Sequence, residues 1–214
     1  MTIEDEKRVA AEASVAFVES GMTVGLGTGS TVAYLLPALA ARQLDIRCVA
    51  TSPRTAAAAT ALGLRVLDFD AVDRFDIAID GADQIAPDGW LIKGGGAAHT
   101  REKIVANAAD RFVVIADSSK PVAALDGSVP VELMEYGLAA TLRELAGVVL
   151  RDVPRSPDGG VIGDYHGDLS DPAALAAQLS AAPGLVDHGL FGPSMVHDVL
   201  IARGDDVEHR VIRS

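Results

Sequence analysis

Met22 to Leu26, a run of apolar and β-branched character, passes directly into the glycine-rich turn GLGTGSTV and then into a helical pattern from about Thr31 to Arg42. A strand that feeds a helix through so short a turn restricts the chain to folds in which helices cover a sheet. The unit recurs. Arg47 to Thr51 reads as a strand ending at Ser52, Pro53 opens the helix PRTAAAATALG that Gly63 stops, and Leu64 to Leu67 is the next strand. Phe75 to Ile79 and Arg111 to Ala116 read as further buried strands. Ahead of them all, residues 3 to 20 form an amphipathic helix with Val9, Ala13, Ala16 and Phe17 on one face and Gly21 as its stop. The expected fold class is therefore α/β, with a doubly wound, Rossmann-like parallel sheet up to about residue 125.

A strand, a glycine-rich turn and a helix N-terminus make an anion site, because unbonded N–H groups and the positive end of the helix dipole point at the ligand. The glycines fall at Gly25, Gly27 and Gly29, so GxGxxG is not matched, and no ribose-binding acid ends the second strand. There is no Gly-Lys-Ser/Thr either. These absences disfavour a dinucleotide and a nucleoside triphosphate, and Thr28, Gly29, Ser30 and Thr31 suit a single phosphate monoester.

The densest chemistry lies in IAIDGADQIAPDGWLIKGGGAAHTREK, from Ile77 to Lys103. Asp80 and Asp83 follow one apolar run, and Lys93 ends a second, Trp90 to Lys93, so both charges are expected at one crevice. Gly94, Gly95 and Gly96 let backbone N–H groups approach an oxygen-rich ligand. Thr100 is expected to cap the next helix, with Glu102 in its first turn, near the loop and outside the deep core, and with Ile104, Val105, Ala108 and Ala109 as the buried stripe. A carboxylate base with further carboxylates and an ammonium fits proton abstraction next to a carbonyl, the cation holding the developing enolate oxygen. Lys120, just past Ala116, either holds phosphate or solvates the loop before Pro121.

Beyond residue 126 the rhythm changes to β-α-β-β-α-β: strands Val129–Met134, Val148–Val153, Val161–His166 and Leu185–Phe191, and helices Tyr136–Ala146 and Asp171–Ala181. That order predicts a second, smaller ferredoxin-like α+β domain over 127–198, with 1–126 and 199–214 forming the Rossmann-like domain. Val196–Ala202 and Val207–Ile212 read as a closing hairpin that returns to the first domain. His166, His188 and His197 are isolated and read as solvated or capping residues.

The formal charge of −12 argues against nonspecific binding to nucleic acid or an anionic membrane. Fourteen arginines against four lysines, with 21 aspartates, is a balance shared by salt-adapted surfaces and by GC-rich coding. The single cysteine, Cys48, excludes an internal disulfide framework, lies in a strand, and no Cys/His spacing points to zinc. The N-terminal MTIEDEKRVAAEA has no apolar h-region and no run approaches a membrane span, so a cytoplasmic location is expected.

GTGST at 27–31, DGAD at 80–83, KGGGAA at 93–98, TREK at 100–103 and ADSSK at 116–120, followed by PVEL at 130–133 and DYHG at 164–167, resemble ribose-5-phosphate isomerase of the A type over nearly the whole chain. The resemblance implies interconversion of D-ribose 5-phosphate and D-ribulose 5-phosphate through a cis-enediolate, without metal or organic cofactor. It implies Glu102 as the base, Asp80 and Asp83 assisting ring opening and proton movement, and Lys93 stabilising the enediolate. Substrate-binding positions fall on Thr28, Gly29, Ser30, Thr31, Gly81, Ala82, Gly94, Gly95, Gly96 and Lys120, and a homodimer or homotetramer in contact through the small domain is implied. The family pattern DGADE has Gln84 as its last residue here, and Met134 to Gly137 departs from the usual sequence after PVEL. The competing readings are another phosphosugar enzyme, such as an amino-sugar phosphate deaminase, and a non-enzymatic sugar-phosphate sensor. A deaminase would need a histidine relay, for which His99 is the only local candidate, and a repressor-type sensor would need a helix-turn-helix segment that has no room before Met22.

Overall fold

A computed structural model describes residues 1–213. The chain divides into two compact units: the first comprises Met1–Ala82, Arg101–Lys120 and the segment from Pro193 onward, the second Asp83–Thr100 and Pro121–Gly192. The expected small segment 127–198 thus falls in the second unit except for its last six residues, and 83–100 and 121–126 go with it.

The first unit is built on a seven-stranded sheet in the order Asp206–Val211, Asp198–Arg203, Phe112–Ala116, Ile77–Asp80, Thr23–Leu26, Arg47–Ala50, Arg65–Val66. All neighbours are parallel except the C-terminal hairpin pair. The doubly wound sheet read from the alternating pattern is present, and strand order reverses between Thr23–Leu26 and Ile77–Asp80, which makes the carboxyl ends of these two strands the switch point. Leu26, Ile77, Ile79 and Ile115 from the strands meet Leu35 and Leu39 from the helix Ser30–Ala41 in one core. Burial of this kind is the main favourable term in folding. The N-terminal helix covers Ile3–Ser14, shorter than the expected 3–20, with a 3-10 turn to Phe17. Thr2 and Asp5 close its start with a reciprocal capping box. Cys48 is fully buried in its strand, and desolvation pushes its thiol up to about 12.

The second unit holds two sheets. Leu185–His188, Val129–Leu133, Val161–Tyr165 and Val148–Leu150 form an antiparallel sheet in that order, covered by the helices Leu138–Glu144 and Pro172–Ala181. With the two helices this is the expected β-α-β-β-α-β topology. Its core gathers Val129, Val131, Leu133, Leu175 and Leu179.

Three local expectations are corrected. Leu91–Ile92 does not repeat the environment of Ile77–Asp80: it is the centre of a separate three-stranded antiparallel sheet with Gln84–Ile85 and Leu190–Phe191. The run Leu185–Phe191 is therefore two strands, divided at Gly189, whose N–H bonds Pro130 and whose carbonyl bonds Lys93. A short apolar run does not reveal its partners. His188 is buried rather than solvated, its Nε2 3.0 Å from the Ser180 hydroxyl and its Nδ1 accepting the Leu190 N–H at 3.2 Å.

Candidate active site

Parallel pairing puts the carboxyl ends of the central strands of the first unit along one edge, so Gly27–Thr31, Thr51–Ser52, Asp80–Ala82 and Asp117–Lys120 leave the sheet on the same side. Asp80 is the last residue of its strand and is buried at 3% exposure. Its Oδ1 accepts the N–H of Thr28 at 3.1 Å and of Gly81 at 2.7 Å. The turn lies so close that a Cβ at Gly27 would sit 1.9 Å from the carboxylate. Glycine at 27 is thus a clearance for Asp80, which spacing alone does not disclose.

Gly29, at φ +135°, precedes the helix Ser30–Ala41 without any side-chain cap. The first-turn N–H groups of that helix have no partner within the helix, which is the arrangement an anion requires. The Thr28 hydroxyl turns to Thr51 and Thr55, at 2.9 and 3.2 Å, and Thr55 is joined in turn to Ser52 at 3.0 Å. Thr51 and Thr55 escaped the sequence reading; the signal available was hydroxyl residues on both sides of Pro53.

Glu102 lies in the first turn of the helix His99–Ala108, as expected. The stripe differs: Ile104 is half exposed and Ala108 exposed, whereas Glu102, Val105 and Ala106 are buried. Glu102 and Val105, three residues apart, share a face, and that face lies on the first strand, since a Cβ at Gly25 would come within 2.3 Å of the Val105 side chain. At 4% exposure Glu102 is deeper than expected. Thr100 is within the helix instead of capping it, and its hydroxyl donates to the buried Glu132 at 2.5 Å. Lys120 follows a turn closed by its N–H to the Asp117 carbonyl at 3.3 Å and is half-buried.

In the second unit, Lys93 is 2% exposed, with its N–H bonded to the Gly189 carbonyl at 2.9 Å and its ammonium 5.4 Å from the centre of the Phe191 ring. Gly94 takes φ +110°, a conformation that requires glycine, and a side chain there would strike His99 and Pro130. Gly95 and Gly96 are exposed, and the Gly95 N–H donates to Asp83 at 2.7 Å. Gln84 occupies the departure from the family pattern productively: its amide donates to the Asp126 carbonyl and carboxylate at 2.9 and 2.8 Å and accepts the Asp126 N–H at 3.0 Å. A carboxylate cannot donate, so glutamate would lose two of these three bonds. Among the described residues, no group of three or more His, Cys, Asp or Glu is disposed to hold a metal ion, and no helix is long and apolar enough to cross a membrane.

The model of the family described as ribose 5-phosphate isomerase A (phosphoriboisomerase A) matches residues 47–206. The ribose-5-phosphate isomerase A of Caulobacter sp. (strain K31) is 46% identical over 206 residues, covering 89% of this chain and 91% of the relative. This chain belongs to the ribose 5-phosphate isomerase A family. The ribose 5-phosphate isomerase A of Neisseria gonorrhoeae superposes with a TM-score of 0.94 at 30% identity, over 100% of this chain and 99% of that one. A D-ribose-5-phosphate isomerase solved in complex with phospho-erythronic acid gives 0.92 at 32% identity, over 99% and 100%. Agreement over both units fits ribose 5-phosphate isomerase A throughout, and the α/β class with a mostly parallel central sheet is that of these structures.

Proposed function

We propose that the chain interconverts D-ribose 5-phosphate and D-ribulose 5-phosphate through a cis-enediolate, with no metal or organic cofactor. The observation that carries the reading is Glu102, a carboxylate buried at 4% exposure in the same unit that bears Asp80 and the uncapped turn at Gly29. Membership of the isomerase family and the relative that binds phospho-erythronic acid support the substrate class.

In this reading the helix start after Thr28, Gly29, Ser30 and Thr31, with Lys120, holds the phosphate. Glu102 removes the C2 proton of the open-chain aldose and returns it to C1. Asp80 and Asp83 assist ring opening and carry the hydroxyl proton from O2 to O1, while Gly81 and Ala82 line the substrate beside them. Lys93 and the N–H groups of Gly94, Gly95 and Gly96 stabilise the enediolate oxygens, a role suited to fixed cationic and amide donors. The enzyme acts in the cytoplasm as a homodimer or homotetramer. The family resemblance supports that assembly, and light scattering after gel filtration measures it.

The deciding experiment compares ribulose 5-phosphate formation by the wild type and Glu102→Gln in a coupled assay. The variant is expected to lose about 10²-fold or more in kcat, the scale of a positioned general base, while retaining ribose 5-phosphate binding. Equal turnover of the two removes Glu102 from its role, and a wild type that binds ribose 5-phosphate without converting it restores the sensor reading.

A further inference from the structure

Arg151 follows the strand Val148–Leu150, and its N–H bonds the Ile162 carbonyl at 2.9 Å, so its backbone is fixed by the neighbouring strand Val161–Tyr165. From there its guanidinium makes two sets of contacts. Nε and Nη2 donate to the two oxygens of Asp164, both at 2.7 Å, and Ser128 donates to the same carboxylate at 3.3 Å. Nη1 donates to the carbonyls of Gly94 at 3.0 Å and Gly95 at 3.4 Å. The planar fork of arginine serves both tasks at once, which an ammonium cannot do.

The Gly94 carbonyl and the Gly95 N–H belong to one peptide unit. On one side its oxygen accepts from Arg151; on the other its N–H donates to Asp83 at 2.7 Å. A cation on the carbonyl and an anion on the N–H polarise the peptide in the same sense, and such chains of hydrogen bonds strengthen one another. Gly95 lies so near the carboxylate that an added Cβ would be 2.9 Å from Asp83 Oδ1.

We propose that Arg151, locked by Asp164, is a positioning residue for the reaction: it fixes and polarises the Gly94–Gly95 peptide so that the N–H of Gly95 holds Asp83 in place. This rests on the isomerase reading and extends it to residues outside the glycine loop. The charges agree with the geometry. Arg151 holds its proton more firmly than usual, chiefly through the Asp164 hydrogen bonds, with Asp83 adding to the effect, and the Arg151 guanidinium lowers Asp164 in return. If Arg151 merely braced the small sheet, its loss would cost stability and leave the chemistry of each folded molecule unchanged.

The test uses the whole chain as wild type, Arg151→Met, Arg151→Lys and Asp164→Asn. It reads kcat and KM for ribose 5-phosphate, the Kd values of phospho-erythronic acid and of inorganic phosphate, and amide exchange of the peptide containing Gly94–Gly96. Arg151→Lys is expected to lower kcat and weaken phospho-erythronic acid about tenfold or more, with inorganic phosphate kept within about twofold, because the isomerase reading sets the sugar end against the glycine loop and the phosphate at the Gly29 turn. Asp164→Asn should lie between Arg151→Lys and the wild type, and the glycine loop should exchange faster in each folded variant. Folded Arg151→Lys with both kcat and phospho-erythronic acid binding unchanged overturns the proposal, as does an equal weakening of both ligands. Should Arg151→Met fail to fold, Arg151→Lys and Asp164→Asn carry the test. A wild type that turns over nothing strikes the isomerase reading instead, and loop exchange then judges the Arg151 contact alone.

Discussion

Glu6, in the N-terminal helix, accepts the backbone N–H of Ser118 at 2.9 Å and that of Gly204, also at 2.9 Å. It ties the turn that carries Lys120 to a helix more than a hundred residues earlier, and the Ser118 hydroxyl followed by these N–H groups holds its carboxyl below the usual range. Glu6→Ala is expected to raise KM for ribose 5-phosphate by about three- to tenfold with a smaller change in kcat, because the loss falls on binding shared by ground and transition states. Steady-state kinetics of the variant check this, and Glu6→Gln should recover part of the loss.

Gly27 sits where a methyl group would overlap the Asp80 carboxylate. Gly27→Ala should displace Asp80 and lower kcat by about 10²-fold, the penalty of a misplacement near 1 Å. The overpacked turn is also expected to cost about 1–3 kcal/mol, measurable by urea unfolding.

Glu132 is 2% exposed and accepts from the hydroxyls of Thr100 and Ser156. Replacing it by glutamine brings an NH₂ group toward donors that need an acceptor, and about 1–3 kcal/mol of stability should disappear, as for other buried donors left unsatisfied. Thr100→Val should reproduce only part of that loss in the same unfolding assay, since the Ser156 contact survives.

His197 accepts the Phe112 N–H on Nδ1 at 3.0 Å, so this nitrogen is unprotonated in the fold. Its pKa is lowered, chiefly by desolvation, with Arg213 next and Asp198 opposing. A folded value below the unfolded one makes the stabilising contribution complete above pH 6.5, the ordinary histidine value, and removes it as pH falls through the folded value. Denaturant unfolding from pH 8 to pH 5 should therefore show a stability decline on acidification that is shallower in His197→Gln. An identical slope in the variant would assign the decline to other groups.

The sheet was legible because alternation of β-branched runs with alanine-rich helices leaves few other ways to bury the apolar residues, and the small antiparallel sheet was legible from the order of its elements. The pairing of Leu91–Ile92 was not, since a two-residue apolar strand has the same pattern in either kind of sheet. Asp80 and Lys93 stood out as charged residues at the ends of apolar runs, Asp83 as a second aspartate just beyond the first, and Glu102 as an acid in the first turn of a helix that follows three glycines. Arg151, Asp164, Glu132 and Glu6 did not, each being one more charged residue until a distant backbone meets it.

Sequence by itself determined the fold class, the glycine-rich turn after the first strand and the cluster of charged residues around the glycine loop, because periodicity and the need to bury apolar surface act locally along the chain. Tertiary structure alone decided that Gly27 clears Asp80, that Glu102 is buried beside Val105, and that Arg151 reaches the Gly94 carbonyl. Those facts depend on which backbone groups lie within about 3 Å of a side chain, the range of a hydrogen bond, and residues far apart in sequence carry no local mark of it.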